Sequence, residues 1–487
     1  MRFFVVVRTA IMDNKNFTKL VELLEQESAA RIASETSRLA ENAASGQIIS
    51  DLNATIKQLN ETIGGLLEEI RLLKGPKKNS RNSSLPPSKD ENSPPRTTSL
   101  RKSSGKSSGG QKGHEGSTLK MSACPEDIVE HSPGFCNCCG LDLQDFQAEL
   151  TSCRQMVDIP VTKPLYTEHR VFSKTCLCGH QTTASFPSGV NAPISYGPKT
   201  TALIAYLHTR QYVPLARISE FFNSVYSMPI SQGTVSGILD RFAKKSLPAL
   251  ELIKQTICKS IVVGADETGM KQNGQLNWFW TWQNKLATYI ACSANRGIAT
   301  IKEHFPAGFP KAILVHDCWP SHLNTEAAGH QICTAHLLRE LKFLEQKYQS
   351  EWATQFSRML ILALELKKSI PLDQYLEPMR ERAQLENTLH NLINQKIDPQ
   401  QIEVIIFQKR ITKYRQYLFT FLYNKDVPPD NNTSEQAIRN IKVKQKVSGM
   451  FKSKNGAQNY ATIRSVADTC IKNSQSVLDA FYSIAIL

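Results

Sequence analysis

Two short stretches narrow the possible folds more than anything else in the chain: VVGADETGMK, starting at Val262, and KAILVHD, ending at Asp317. Each is a run of apolar, largely β-branched residues that arrives at an aspartate. A run apolar on both faces suits a strand covered on both sides, and α/β sheets hold their sites at the carboxyl ends of such strands. Between the two, LNWFWTWQN and LATYIACS read as successive strands of a meander, and GIATIKEHF reads as a helix. The pattern therefore predicts a mixed sheet that brings Asp266 and Asp317 to one rim. On this reading the first strand, from Ser260 to Ala265, ends at Asp266. Successive residues on a strand point to opposite faces, so only one of Asp266 and Glu267 can aim at the site, and the plainer reading of Glu267 is a solvated turn. Trp278, Trp280 and Trp282 alternate with period two and are expected to fill one face of the sheet.

A third carboxylate is visible in PPDNNTSEQAIRNIKVKQKVSGMFKSKNGAQ. Asn431, Asn432, Thr433 or Ser434 can cap a helix there, which places Glu435 in its first turn on a rigid mount. Arg439, Lys442, Lys444, Lys446 and Lys452 follow, a basic run suited to phosphates. Spacing alone does not separate Glu435 from an ordinary surface acid flanked by lysines. From Ala335 to Tyr423 the chain reads as amphipathic helices, among them HLLRELKFLEQKY and FSRMLILALELKK, which implies a helical insertion between Asp317 and Glu435.

The amino-terminal third is organised differently. From Ile49 to Leu73 apolar residues recur by threes and fours: Ile49, Leu52, Ile56, Leu59, Ile63, Leu66, Ile70 and Leu73. That spacing describes a coiled-coil seam and hence self-association, weakened by Gly64 and Gly65, or else an amphipathic helix lying on its own domain. A stretch rich in Ser, Pro, Gly, Lys and Arg follows, with eleven basic and three acidic residues between Lys74 and Lys120. Too few large apolar side chains lie there to offset the entropy of ordering, so it reads as a flexible basic linker. The formal net charge of +14 points the same way, toward a polyanionic partner. The opening MRFFVVVRTAIMD is too short for a membrane span and has no small-residue cleavage pattern; Met12 is an alternative start to Met1.

Twelve cysteines in a chain without a secretory pattern suggest metal or free thiols before disulfides. Cys136 and Cys139 form a Cys-x2-Cys knuckle, and Cys176 and Cys178 a shorter second pair, each beside a glycine, Gly140 or Gly179. Four thiolates suit one structural Zn²⁺, with Cys138 and His180 as substitutes for one ligand. Between Pro198 and Leu252 the pattern gives short helices, one broken near Pro214 and one capped by Ser231. They form either a helix-turn-helix-like DNA-binding unit or a packing platform.

These motifs, in this order, resemble a transposase of the insertion sequence sixty-six family, a DDE-type enzyme with a ribonuclease H-like core. KNSRNSSLPPSKD is similar to the polar motif after the family's leucine-zipper-like helix, and GGQKGHEG to the linker before its zinc module. RQYVPLARISEFF resembles the family's helical segment, ADETG and VHDCW its two aspartate blocks, CTAHLLRELKF the block that follows, and PDNNTSEQAIRNIKVKQKVSGMFKSKNGA the glutamate block. The resemblance makes Asp266, Asp317 and Glu435 the catalytic triad, holding two Mg²⁺ or Mn²⁺ ions. CTAHLLREL reads as strand into helix, which puts His336 beside the site, in a catalytic role or in a structural hydrogen bond, and Arg339 on phosphate. The departures are the short Cys176–Cys178 pair and, around Glu435, Ser434 and Gln436 in place of the more usual Ala and Arg.

The expected fold class is α/β, a ribonuclease H-like core with a helical insertion. Its expected parts are a coiled-coil helix (12–74), a flexible basic linker (75–120), a zinc module (121–190), a small helical domain (191–255), a catalytic domain (256–460, insertion about 345–425) and closing helices (461–487). The implied function is metal-dependent cleavage at element ends and strand transfer into target DNA; the alternative is an inactive zinc-containing DNA-binding protein or repressor derived from a transposase. The implied partners are double-stranded DNA, a second copy of the chain through the coiled coil, and other element-encoded proteins, in a bacterial cytoplasm at the nucleoid, with no membrane.

Overall fold

The computed structural model describes residues 15–41, 54–66, 119–160 and 163–487. The chain divides into two units, Met1–Lys78 and Asn79–Leu487. The first contains helix α1 (Lys15–Glu41) and a second helix, α2 (54–66). Ile56, Leu59, Ile63 and Leu66, the central part of the expected seam, are exposed on α2. Both ends of that seam, the linker up to residue 118 and both candidate start methionines lie outside the described residues.

In the second unit, residues 119–160 and 163–190 contain little regular structure beyond a short antiparallel hairpin, β1 (Ser173–Thr175) and β2 (Gln181–Thr183). Four helices follow: α3 (Pro198–Thr209), α4 (Leu215–Tyr226), α5 (Gln232–Lys245) and α6 (Leu247–Cys258). Ser231 accepts the backbone N–H of Thr234 at 3.0 Å, so α5 begins with the side-chain cap that the sequence predicts.

The centre is a five-stranded sheet of β3 (Val262–Gln272), β4 (Gln275–Gln283), β5 (Thr288–Ser293), β6 (Phe309–His316) and β7 (Ala327–Ile332), in the order β5-β4-β3-β6-β7. The meander β3-β4-β5 is antiparallel, whereas β6 and β7 run parallel to β3. Helix α7 (Ile298–His304) links β5 to β6, and a single helical turn, α8 (Pro320–Leu323), lies between β6 and β7. The first strand does not stop at Asp266. It runs on to Gln272 because β4 keeps pairing with it after β6 has ended.

Each face of the sheet has its own cover. On one face Val263, Ala265, Trp280 and Trp282 share a core with Ile204, Phe222, Phe242 and Ile257 from α3–α6 and with Ile463 and Phe481 from the carboxyl-terminal helices. The helical segment 191–255 and the closing segment 461–487 thus build one body with the sheet. Part of their apolar surface is spent in covering it, while Val225, Leu247 and Leu252 stay exposed. The tryptophan alternation works as expected: the Trp280 and Trp282 rings stack 5.7 Å apart and are fully buried. On the other face Met270, Phe279 and Ile290 pack against α14 (Asn432–Ser448) and α15 (Lys454–Lys472) through Ile441, Tyr460 and Ala461. Between β7 and α14 lie α9 (Thr334–Tyr348), α10 (Glu351–Ser369), α11 (Arg380–Asn394), α12 (Ile402–Tyr414) and the short α13 (Thr420–Tyr423), which share a core around Leu341, Trp352, Phe356 and Phe407 with Val315 and Ile332 of the sheet. α16 (Val477–Ile486) ends the chain's last packed layer.

Candidate active site

The register of β3 against β6 sets the geometry. Val262 pairs with Ile313, Val263 with Leu314 and Gly264 with Val315. Carried two residues further, the same register puts Asp266 opposite Asp317, at the point where β6 ends and the two strands part. The Asp266 carboxylate accepts the backbone N–H of Glu267 at 2.9 Å, and Asp317 Oδ1 accepts that of Trp319 at 3.1 Å. Burial in the sheet rim holds the Asp266 carboxyl well above the usual carboxylate range, and the charges of Asp317, Glu267 and Glu435 push it further up. Burial and the charge of Glu267 raise Asp317 as well. Asp266 thus lies within range of the charges of both other expected acids, although among the described residues the three are not a group whose ligand atoms all lie within 4.8 Å of one another.

Glu435 comes to the rim on the first turn of α14. The cap is not the one expected: the Asn431 side chain makes no bond to the helix and instead donates to the carbonyl of Ala265 on β3 at 2.7 Å, stitching the helix start to the strand. Asp430 accepts the N–H of Asn432 instead. The close approach depends on Gly264, since a Cβ there would lie 2.5 Å from Gln283 Nε2, 2.6 Å from Ser434 Oγ and 2.9 Å from Asn431 Oδ1. Ser434, one of the departures from the family pattern, is buried and accepts from Gln283 at 3.2 Å. Arg339 and Arg439 each donate to one oxygen of Glu435, at 3.1 and 3.3 Å, and His336 Nε2 lies 3.8 Å from Oε1. Burial, followed by the charge of Arg339, lowers the His336 pKa and favours the neutral ring.

Glu267 overturns the expectation of a solvated turn. Its carboxylate is buried, with Oε1 held by Arg296 Nε and Nη2, both at 2.9 Å, and Oε2 by His322 Nε2 at 2.8 Å. Although burial alone would raise it, His322 and Arg296 bring its pKa below the ordinary value. Strand parity carried the signal: Glu267 is in step with Val263 and Ala265, the residues of the tryptophan-covered face, and could not have been solvated there. Arg296 and His322 were missed because a lone arginine in a loop and a lone histidine in a helical turn have no spacing that announces them. Glu267, Asp317 and His322 form the one group of three metal-ligating side chains among the described residues whose ligand atoms all lie within 4.8 Å of one another. His316 is fully buried, with Nε2 3.1 Å from His330 Nδ1.

The expected DNA-binding residues divide. Lys446 and Lys452 are exposed, and Arg439 is largely so. The Lys442 ammonium donates to the Gly269 carbonyl. Lys444 is a correction: it is buried, and its ammonium points to the carbonyls of His208, Tyr212 and Val213 at 3.3–3.5 Å, where α3 ends. It therefore fastens α14 to the helical platform and is not placed to meet a phosphate. Arg464 makes a matching contact to the Thr209 carbonyl at 3.0 Å.

Each cysteine pair is folded as a knuckle. The N–H groups of Cys139 and Cys138 point to the Cys136 sulfur and lower its pKa, as Cys178 does for Cys176. Gly140 and Gly179 adopt the positive φ that these tight turns require, 74° and 81°. Among the described residues no group of three or more cysteines is gathered closely enough to hold one ion.

A mixed five-stranded sheet with flanking helices and acids at the rim where its central strands part is an architecture consistent with a ribonuclease H-like core. A family model described as Transposase IS66 family matches residues 193–459, more than half of the chain, and the chain belongs to this family of DDE-type transposases, enzymes that cut DNA. A second model, a family of unknown function (DUF6444), matches residues 24–120. No curated protein matches the chain. Among the described residues no helix is long and apolar enough to cross a membrane.

Proposed function

We propose that the chain cleaves phosphodiester bonds at the ends of a mobile element and joins them to target DNA, with Asp266, Asp317 and Glu435 as the catalytic carboxylates. The observation that supports this reading is the β3–β6 register, which ends at Gly264 and Val315, two residues short of Asp266 and Asp317, together with Glu435 in the first turn of α14. The donor set fits two Mg²⁺ or Mn²⁺ ions: hard carboxylate oxygens on a strand, a strand-end turn and a helix, with a repulsion at Asp266 that divalent cations relieve. Such ions, when bound, supply a polarised phosphate and an activated water or 3'-hydroxyl. The protein's own part is positioning. β3 and the turn after β6 present two acids at hydrogen-bonding distance from backbone N–H groups, and Arg339 and Arg439 hold Glu435. In the presence of DNA those two arginines, with Lys442, Lys446 and Lys452, serve as phosphate contacts.

Cys136, Cys139, Cys176 and Cys178 in this reading hold one structural Zn²⁺ once the two turns close on each other, with backbone N–H groups already lowering the pKa of Cys136 and Cys176. The α2 helix, with its exposed apolar side chains, serves self-association. The decisive test replaces Asp266, Asp317 and Glu435 one at a time with alanine in the full-length protein. Mg²⁺-dependent cleavage of duplexes carrying the element's ends should disappear while their retention in gel-shift assays persists. Cleavage that survives any one of the three substitutions removes that residue from the triad.

A further inference from the structure

Asp317 lies just past the end of β6, on the turn 317–322, with no strand partner of its own. Something must hold that turn, the more so because the charge of Glu267 itself repels the Asp317 carboxylate. Glu267 grips it at two points. Directly, it accepts from His322 at 2.8 Å, with both side chains essentially without solvent exposure. Indirectly, it fixes Arg296, whose guanidinium sits 3.6 Å from the ring centre of Trp319 and 4.6 Å from that of Trp278 on β4. The Arg296 carbonyl in turn accepts the Trp319 indole N–H at 3.3 Å and the Ser321 hydroxyl at 3.2 Å. Trp319 is the residue whose backbone N–H orients the Asp317 carboxylate.

The close grouping of Glu267, Asp317 and His322 invites a second reading, as an ion cage. Bond geometry argues against it. Both Glu267 oxygens already receive charge-assisted hydrogen bonds, so the cation that this face uses is the Arg296 guanidinium.

We propose that Glu267 is a positioning residue for Asp317: through His322 and the Arg296–Trp319 stack it locks the turn 317–322 so that Asp317 stays opposite Asp266. The inference rests on the reading of Asp317 as a metal-holding carboxylate. Glu267 itself touches neither the ions nor the DNA, and its effect passes through the turn.

The test uses the purified full-length chain and Mn²⁺ alone, with bound Mn²⁺ read by electron paramagnetic resonance and folding by thermal melting. Glu267→Gln and Arg296→Ala should weaken Mn²⁺ binding about tenfold, and Trp319→Phe, which keeps the ring but loses the indole N–H, about threefold. Cleavage by these variants should recover at high Mn²⁺, whereas cleavage by Asp317→Ala should not. A purely structural role for Glu267 would lower the melting temperature and leave Mn²⁺ affinity unchanged, and that result overturns the proposal. Should Glu267→Gln fail to fold, Trp319→Phe carries the test on the same criterion. Wild-type Mn²⁺ binding by Asp317→Asn would instead overturn the underlying reading of Asp317, so the two failures are distinguishable.

Discussion

Asp266 and Glu267 are neighbours on one strand, yet the protein treats their charges in opposite ways. On the helix α14 face, Asp266 meets other carboxylates and is driven toward its neutral form. On the tryptophan face, one residue on, Glu267 meets an arginine and a histidine and is driven toward its charged form. Burial acts against both charges, so what differs is who supplies the compensation. Glu267 has its counter-charges built into the chain. Asp266 has no cation among the groups that set its charge, so its compensation is left to come from outside, as the proposed divalent cations would supply it.

Exchanging each acid for its amide tests this contrast most strongly. Asp266→Asn should reduce Mg²⁺-dependent cleavage by at least about 10³-fold, since it removes a charge aimed at the reacting centre. The same change should leave the metal-free protein as stable as before, or about 1 kcal/mol more so, because it relieves repulsion. Glu267→Gln should do the reverse to the fold and cost about 2–3 kcal/mol, because the Arg296 and His322 contacts then face a neutral group in a mostly buried setting. Urea unfolding of the two variants side by side measures the difference; equal destabilisation would mean that the two faces are not electrostatically distinct.

Much of this arrangement was legible in the sequence, and the part that was not has a common physical origin. The strands, the tryptophan face and the helical run after Asp317 follow from local periodicity, which depends only on neighbours in the chain. Asp266 and Asp317 stood out because an acid that ends an apolar run is anomalous. Glu435 needed the family's motif, since its role depends on α14 crossing β3, a contact between residues far apart in sequence. Glu267 was misplaced because the strand was taken to end at Asp266; β4 pairs with β3 well past that point. Lys444 was misplaced because a lysine in a basic run carries no mark of the three carbonyls that wait for it across the interface.

Gly264 allows the α14 side of the contrast to be altered without touching a charge. A methyl group there would overlap the ends of Gln283, Ser434 and Asn431, the polar side chains that seat α14 on β3. Gly264→Ala should therefore cost about 1–3 kcal/mol and lower cleavage, because Glu435 moves with its helix. The Glu267 face should keep its contacts. Urea unfolding together with the Mn²⁺ titration checks both points: weakened Mn²⁺ binding is expected to accompany the loss of stability. Unchanged stability and affinity would show that the seat of α14 tolerates the methyl group.

The smallest effect concerns a third way of meeting a buried charge, and it is found on the same helix as Glu435. Lys444 has neither an acid of its own, as Arg296 has, nor a ligand to come; carbonyl dipoles at the end of α3 receive it, and burial lowers its pKa to about 8. In the unfolded chain the lysine value is about 10.4. Between those limits the unfolded state holds more protons than the native state, so stability rises with pH through the window and is lost again as the pH falls through the folded value. Lys472, also lowered to about 8, moves in parallel and is unaffected by a change at Lys444. Stability relative to Lys444→Met should therefore shift in favour of the wild type by about 1 kcal/mol between pH 7 and pH 9, as read from paired urea unfolding curves. A pH-independent difference would mean that the three carbonyls hold the ammonium as well as water does, and that dipoles alone can do for Lys444 what Glu267 needs Arg296 and His322 to achieve.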